Sequence, residues 1–229
     1  MDKPSREELP VEVETGPQPT ASIIWLHGLG ADGHDFEPII PELRLPATPA
    51  LRFVFPHAPY RPVTINNGYV MRAWYDIAMS ERGLEQHAGH IRESEKLLQA
   101  VIANEIRRGI ASRRIVLAGF SQGGAIALHT GLRYPDTLAG IMALSAPVPY
   151  AENLMAEIHP ANAAVPVFLA HGTDDRVIPH DLVQPAHRRM QSHGLRLEQH
   201  AYVMGHTLVP DEIRDIAAWL GRVLGTPGG

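Results

Sequence analysis

The chain has 229 residues, of which 45% are hydrophobic, so it can bury a large core, and an α/β chain of this size often folds as one domain. A formal net charge of -5 without any Lys/Arg run argues against nucleic acid or an anionic membrane as the main partner and favours a small neutral or apolar ligand. The absence of cysteine excludes disulfides, thiolate metal sites and a cysteine nucleophile. Because no apolar segment has the length of a signal peptide core or a membrane span, we expect a cytoplasmic protein.

Short apolar runs followed by turn residues predict buried parallel strands over residues 22–26, 51–55, 115–118, 139–144 and 165–170. The alternating segment 195–203 predicts a further strand nearer an edge, and helical spacing predicts helices before Gly109 and after Pro210. We expect residues 1–18 and 226–229 to be loosely ordered. The alternation predicts a single α/β domain, with a mainly parallel twisted sheet, helices on both faces and ligand chemistry at the carboxyl ends of the strands.

The sequence Gly119-Phe-Ser-Gln-Gly123 directly follows one of these strands. A Gly-x-Ser-x-Gly pattern is weak evidence by itself, but a nucleophile elbow needs a strand, a tight turn flanked by glycines and a helix, and all three are predicted here. The alternative is an ordinary strand-to-helix turn in which Ser121 caps the helix. The context favours Ser121 as a nucleophile.

A serine nucleophile needs a general base and a carboxylate that orients the base. Of the thirteen histidines, His206 follows a glycine between the last strand and the C-terminal helix, where a loop can turn it toward the strand ends. Most of the others are interpreted as surface or packing residues. Asp174 and Asp175 both follow a buried strand; their spacing does not distinguish them, and either can be a simple turn residue. No metal-ligand spacing occurs, and no cofactor is expected.

The tetrahedral intermediate needs two N–H donors. One is the Gln122 amide at the start of the helix after the serine. The other is the Leu29 amide, because Gly28 and Gly30 allow the backbone to turn toward the site. A phosphate-binding loop is the weaker interpretation of this segment, since no Lys-Ser/Thr pair follows it.

The sequence resembles the small bacterial carboxylesterases of the phospholipase/carboxylesterase family, relatives of the acyl-protein thioesterases with the α/β-hydrolase fold. The resemblance implies Ser121 as nucleophile, His206 as base, Asp175 rather than its neighbour as acid, and Leu29 and Gln122 as oxyanion donors. The matching blocks run from about residue 20 to 215 and include Leu26-His-Gly-Leu-Gly-Ala-Asp-Gly33, Phe55-Pro-His-Ala-Pro59, Pro62-Val-Thr-Ile-Asn66, Met71-Arg-Ala-Trp-Tyr-Asp76, Gly119-Phe-Ser-Gln-Gly-Gly124, His171-Gly-Thr-Asp-Asp175 and Gly205-His206.

Substrate contacts are expected from the segment 60–77, which is too polar and too rich in Asn and Gly for a plain strand, and which the resemblance places in loops beside the groove. Trp74 is either a groove contact or a core residue. Met71 and Val177 are further candidates for contact with substrate. One departure is Pro147, which stands where the family commonly has an aromatic residue.

The short segment between the strands at 139–144 and 165–170 leaves no room for a large cap, so we expect a shallow, open site. We predict a serine carboxylesterase that hydrolyses short- to medium-chain carboxylic esters through an acyl-enzyme. An acyl-protein or small-molecule thioesterase with the same triad is the alternative, and a non-catalytic binding module is a third. The expected partner is a small-molecule ester or thioester. An acylated protein and a homodimer are left open, and neither nucleic acid nor stable membrane insertion is expected.

Overall fold

A seven-stranded sheet forms the centre of the structure, a computed structural model that describes residues 8–47, 49–81 and 83–225. In chain order the strands are β1 (Val11–Glu14), β2 (Ala21–Leu26), β3 (Leu51–Phe55), β4 (Tyr60–Val63), β5 (Tyr69–Arg72), β6 (Ile77–Ser80), β7 (Gly83–Gln86), β8 (Ile115–Phe120), β9 (Gly140–Leu144), β10 (Pro166–Gly172) and β11 (Arg196–Tyr202). The helices are α1 (Ile39–Glu42), α2 (Ala88–Arg107), α3 (Gln122–Arg133), α4 (Ala151–Ala156), α5 (His180–Ser192) and α6 (Pro210–Leu224). Three short 3-10 turns, at Thr64–Asn66, Ser112–Arg114 and Pro160–Asn162, complete the described elements.

The sheet has the strand order β1-β3-β2-β8-β9-β10-β11, and every neighbouring pair is parallel except β1 with β3. Strands β2, β3 and β9 are buried along their whole length, which explains why they read as continuous apolar runs. Strand β11 lies at one edge, and its side chains are partly exposed. The expected mainly parallel sheet, without a large cap, is observed.

Helices cover both faces of the sheet and divide the core in two. On one face, α2 and α3 pack against the sheet through Ile91, Leu98 and Ile126. On the other face, α6 begins with Pro210 at its first turn and buries Ile216 and Leu220, as its spacing predicts. The parallel strands therefore end together at one edge of the sheet, between the two helical layers.

The edge strand β1 corrects the expectation that residues 1–18 are loosely ordered. Val11 pairs with Phe55 and Val13 with Phe53, in an antiparallel register. An edge strand buries only one of its faces, so the alternation of valine and glutamate in Val11–Glu14 is sufficient to hold it on the sheet. Residues 1–7 and 226–229 lie outside the described residues.

Two antiparallel hairpins, β4–β5 and β6–β7, lie outside the central sheet. The expectation that residues 60–77 are too polar for strands is wrong for β4 and β5, because these strands pair with each other and leave Tyr69 and Val70 exposed. The 3-10 turn Thr64–Asn66 connects them, followed by Asn67 and Gly68, which both have positive φ.

The connection from β9 to β10 holds only α4 and one 3-10 turn. It adds no cap domain over the carboxyl ends of the strands. Among the described residues, no helix combines the length and the apolar character that crossing a membrane requires.

Candidate active site

Ser121 stands at a sharp elbow between β8 and α3. Its backbone has φ 54° and ψ −120°, a conformation that costs a non-glycine residue about 1–3 kcal/mol. The elbow is also closely packed: a β-carbon at Gly119 would lie 2.3 Å from the carbonyl carbon of Gly123, and one at Gly123 would lie 2.4 Å from the carbonyl oxygen of Leu26. The two flanking glycines are therefore required by close backbone contacts, and the turn lifts the Ser121 side chain to the end of the sheet.

His206 lies in the loop between β11 and α6 and contacts the serine directly. Its Nε2 is 2.9 Å from Ser121 Oγ, and its Nδ1 is 2.7 Å from Asp175 Oδ2. Because a carboxylate only accepts hydrogen bonds, Nδ1 carries the proton in this arrangement and Nε2 is free to accept the serine proton. The centres of the Phe120 ring and the imidazole lie 4.7 Å apart, so Phe120 limits the movement of His206.

Asp175 is buried at the carboxyl end of β10, whereas Asp174 is exposed. The second oxygen of Asp175, Oδ1, accepts the backbone N–H groups of Val177 at 2.8 Å and Ile178 at 2.9 Å. Burial by itself would raise the pKa of Asp175, but the hydrogen bond from His206 and those from the two backbone amides hold this pKa below its ordinary value. The carboxylate is therefore ionised at neutral pH and faces the imidazole.

The two expected oxyanion donors flank the serine. Gln122 is the first residue of α3, so its N–H has no partner within the helix. Leu29 follows Gly28, which lies against the elbow: an added β-carbon there would lie 3.3 Å from Phe120 Cδ1 and 3.6 Å from Ser121 Cβ. Within the described residues, neither N–H group donates to a protein acceptor. Both N–H groups therefore stay the expected oxyanion donors.

The three residues expected to contact substrate differ in burial. Trp74 is a core residue with 1% of its surface exposed, and its Nε1–H donates to the carbonyl of His27 at 2.9 Å, so the groove interpretation of Trp74 is wrong. Met71 is partly buried next to the Leu29 loop; its sulfur would lie 3.7 Å from a β-carbon at Gly30. Val177 follows the acid and is 68% exposed. Met71 and Val177 therefore stay predictions as substrate contacts.

Two buried histidines next to the site were interpreted from the sequence only as parts of motifs. His27 accepts the backbone N–H of Ala58 on Nε2 at 3.0 Å, and its Nδ1 lies 2.7 Å from the carbonyl oxygen of Gly28. The His171 Nε2 lies 2.7 Å from the carbonyl oxygen of Ile178, in the loop that follows the acid. A signal existed in the sequence, since each histidine directly follows a predicted strand, 22–26 or 165–170, and precedes a glycine. Among the described residues, no cluster of three or more potential ligands could hold a metal ion.

Comparison with known proteins identifies the family of the chain. The family model described as Phospholipase/Carboxylesterase matches residues 9–224. The chain belongs to this family. It is 35% identical to the carboxylesterase SOBER1 of Arabidopsis thaliana, over 88% of this chain and 90% of the relative, and 34% identical to acyl-protein thioesterase 1 of Mycosarcoma maydis, over 94% and 96%.

Solved structures of the phospholipase/carboxylesterase family share the fold. The crystal structure of Arabidopsis thaliana SOBER1 superposes with a TM-score of 0.82 at 34% identity, covering 89% of this chain and 99% of that chain. Zea mays acyl-protein thioesterase 2 gives a TM-score of 0.81 at 28% identity, covering 94% and 99%. The resemblance stated from the sequence is therefore confirmed, and the chain is a hydrolase of the carboxylesterase and acyl thioesterase type.

Proposed function

We propose that this protein hydrolyses short- to medium-chain carboxylic esters through an acyl-enzyme on Ser121. The observation that carries the proposal is the continuous chain of hydrogen bonds from Ser121 Oγ to His206 and from His206 to Asp175, at 2.9 Å and 2.7 Å. These distances lie within the reach that proton transfer from a nucleophile to a base requires.

In the proposed reaction, His206 Nε2 takes the proton of Ser121 as Oγ attacks the substrate carbonyl carbon. The carbonyl oxygen becomes an anion that accepts hydrogen bonds from the Leu29 and Gln122 amides. Asp175 stabilises the imidazolium, which then protonates the leaving alcohol as the acyl-enzyme forms. A water molecule activated by His206 attacks the acyl carbonyl and releases the acid.

The acyl thioesterase alternative uses the same groups, because a thioester presents the same carbonyl and a better leaving group. It is supported by the relatives named acyl-protein thioesterase and by the absence of a cap domain in the β9–β10 connection. A site of this kind is accessible to an acyl group on a protein as well as to a small ester. A binding module without catalysis accounts less well for a serine, a histidine and an aspartate in hydrogen-bonded series.

The proposal also covers the domain organisation, the location and the substrate contacts of the protein. We propose a single domain over the chain, a cytoplasmic location, and a small-molecule ester or thioester as substrate. An acylated protein as substrate and a homodimer stay as predictions from the sequence. Met71 and Val177 are proposed as groove contacts, because neither is fully buried and they lie beside the Leu29 loop and Asp175 respectively.

The test compares initial rates on p-nitrophenyl esters of increasing acyl length with rates on matched acyl thioesters. A fluorophosphonate probe should label Ser121, and Ser121→Ala should lower kcat by about 10⁴- to 10⁶-fold while the protein stays folded. Ser192→Ala, at an exposed position of α5, is the matched control and should keep both labelling and activity. An active Ser121→Ala variant, or labelling at another serine, would contradict the proposal.

A further inference from the structure

Hydrogen bonds hold the backbone of the Leu29 loop at Gly28 and at Gly30, the residues on either side of Leu29. On one side, His27 Nδ1 lies 2.7 Å from the carbonyl oxygen of Gly28; on the other, the N–H of Gly30 donates to the carbonyl of Arg72 at 2.9 Å. Gly28 O and Leu29 N–H belong to one peptide group, and in a trans peptide they point in opposite directions. A contact that fixes the Gly28 carbonyl therefore also fixes the direction of the Leu29 N–H.

The protonation state of His27 follows from its two neighbours. A backbone N–H can only donate, so the contact with Ala58 N–H at 3.0 Å requires an unprotonated Nε2. The single proton of the neutral ring is then on Nδ1, where it donates to Gly28 O. Burial lowers the pKa of His27 to about 4, so the ring is in this neutral form at neutral pH. His27 is thus a donor with a fixed tautomer.

Trp74 forms a hydrogen bond with the same loop, and the side chain of Gln122 holds the backbone of Trp74 and Tyr75. The Trp74 Nε1–H donates to the carbonyl of His27 at 2.9 Å, and the two rings lie 5.3 Å apart. The buried side chain of Gln122 accepts the backbone N–H of Trp74 on Oε1 and donates from Nε2 to the carbonyl of Tyr75, both at 2.7 Å. Gln122 supplies one expected oxyanion donor from its backbone. Its side chain also holds Trp74, which in turn holds the loop of Leu29, the other expected donor.

We propose that His27, Trp74 and the side chain of Gln122 are positioning residues that aim the Leu29 N–H at the oxygen of the transition state. The proposal deepens the proposed hydrolase function and rests on it. It explains two buried hydrogen bonds, from His27 to the carbonyl of Gly28 and from Trp74 to the carbonyl of His27. Each restrains the loop, so that the donors are already oriented before the substrate carbonyl becomes an anion.

The experiment uses Trp74→Phe, His27→Ala and His27→Asn in the full chain. Trp74→Phe removes the N–H while it keeps an aromatic ring, His27→Ala removes the support of the Gly28 carbonyl, and His27→Asn returns an amide N–H near the position of Nδ1. Trp219→Phe is the matched control, because Trp219 is equally buried in the core on the other face of the sheet. For each variant kcat, KM and the melting temperature are measured with p-nitrophenyl butyrate.

The decisive readout is the inhibition constant Ki of an alkyl trifluoromethyl ketone, which forms a hemiketal anion with the serine and so reports on the oxyanion donors. We expect Trp74→Phe and His27→Ala to lower kcat by about 10- to 100-fold, somewhat less than removal of a donor, with KM within about threefold. Ki should rise by the same factor as kcat/KM falls, since both report the transition state. His27→Asn should recover kcat to within about fivefold of the parent, and Trp219→Phe should change neither kcat nor Ki.

The proposal is overturned if Trp74→Phe and His27→Ala keep the parent kcat, if kcat falls while Ki stays constant, or if Trp219→Phe matches their losses. Labelling of Ser121 by a fluorophosphonate separates this result from the proposed function. A parent enzyme that labels at Ser121 and loses activity in Ser121→Ala supports the hydrolase, whatever Trp74→Phe does. A parent without such labelling refutes the hydrolase itself.

Discussion

Replacing Asp175 by asparagine tests the triad through the direction of one hydrogen bond. The Asp175 Oδ1 accepts two backbone N–H groups, from Val177 and Ile178, and the Oδ2 faces His206 Nδ1. An asparagine must place its single amide oxygen toward the two backbone donors. In the reverse orientation its NH2 group would face these two N–H groups, and donors that face each other in a buried site are left without acceptors. The amide NH2 group then faces Nδ1 of His206.

This orientation forces the imidazole into the wrong tautomer. Nδ1 of His206 must now accept, so the proton moves to Nε2, which can no longer take the proton of Ser121 at 2.9 Å. We expect kcat to fall about 10⁴-fold, which is equivalent to about 5.5 kcal/mol of transition-state stabilisation, with KM little changed. The assay is the steady-state hydrolysis of p-nitrophenyl butyrate, with circular dichroism to confirm the fold.

Asp174→Asn is the matched control, since Asp174 is the exposed neighbour on the same turn. Its kcat should stay within a few-fold of the parent. An Asp175→Asn variant that keeps more than about a tenth of the parent kcat would refute the tautomer argument. Equal losses in both variants would show that the turn, and not the carboxylate, had been changed.

Three further predictions concern the elbow, pH and substrate size. Gly123→Ala should destabilise the fold by about 1–3 kcal/mol or more and abolish activity, whereas Gly221→Ala, whose β-carbon meets no atom within 4 Å, should be neutral or stabilising in urea unfolding. Burial lowers the pKa of three histidines to about 4: His27, His129 and His187. Since the unfolded chain binds these protons near pH 6.5 and the folded chain does not, the free energy of unfolding should fall as pH drops from 6.5 toward 4, by up to about 3 kcal/mol for each histidine. Glu212, with its pKa raised to about 8 by burial, acts in the opposite sense between pH 8 and 4.5, but one such group offsets only about one histidine. The three histidines together should still lower the urea midpoint from pH 6.5 to 4.5, and a midpoint that stays flat or rises would contradict the three shifts. For acyl length, kcat/KM should rise about fourfold per methylene over the first few carbons and then flatten; a steady rise to long chains would contradict an open site.

The positions of Ser121 and His206 could be predicted because they depend on topology and on local pattern. Parallel strands end at one edge of a sheet, so a serine after β8 and a histidine after β11 are brought to the same edge once the strands are recognised. The choice between Asp174 and Asp175 could not be made from spacing. It depends on which side chain the turn after β10 directs inward, and the structure settles the direction with the two backbone N–H groups that meet Asp175.

Trp74 shows the limit of an argument from composition. A tryptophan in a polar segment could line a groove or fill the core, and its size gives no direction. Its burial is decided by partners that are distant in sequence: the carbonyl of His27, which takes the indole N–H, and the side chain of Gln122, which takes the backbone N–H. Such pairings join loops that come together only in the folded chain, so they leave no periodic signal.

The burial of Trp74 also changes where substrate selectivity can arise. A residue with 1% exposure beneath the Leu29 loop cannot contact an acyl chain without disrupting the loop that presents the Leu29 N–H. We therefore propose that selection of acyl groups comes from side chains that are at least partly exposed, with Met71 next to the Leu29 loop and Val177 next to Asp175 as the candidates. The unbranched side chain of Met71 can adapt to different acyl groups, whereas the backbone of Val177 must stay in place because its N–H donates to Asp175. On this proposal, a rigid set of polar groups performs the chemistry, and a more adaptable contact at Met71 meets the substrate.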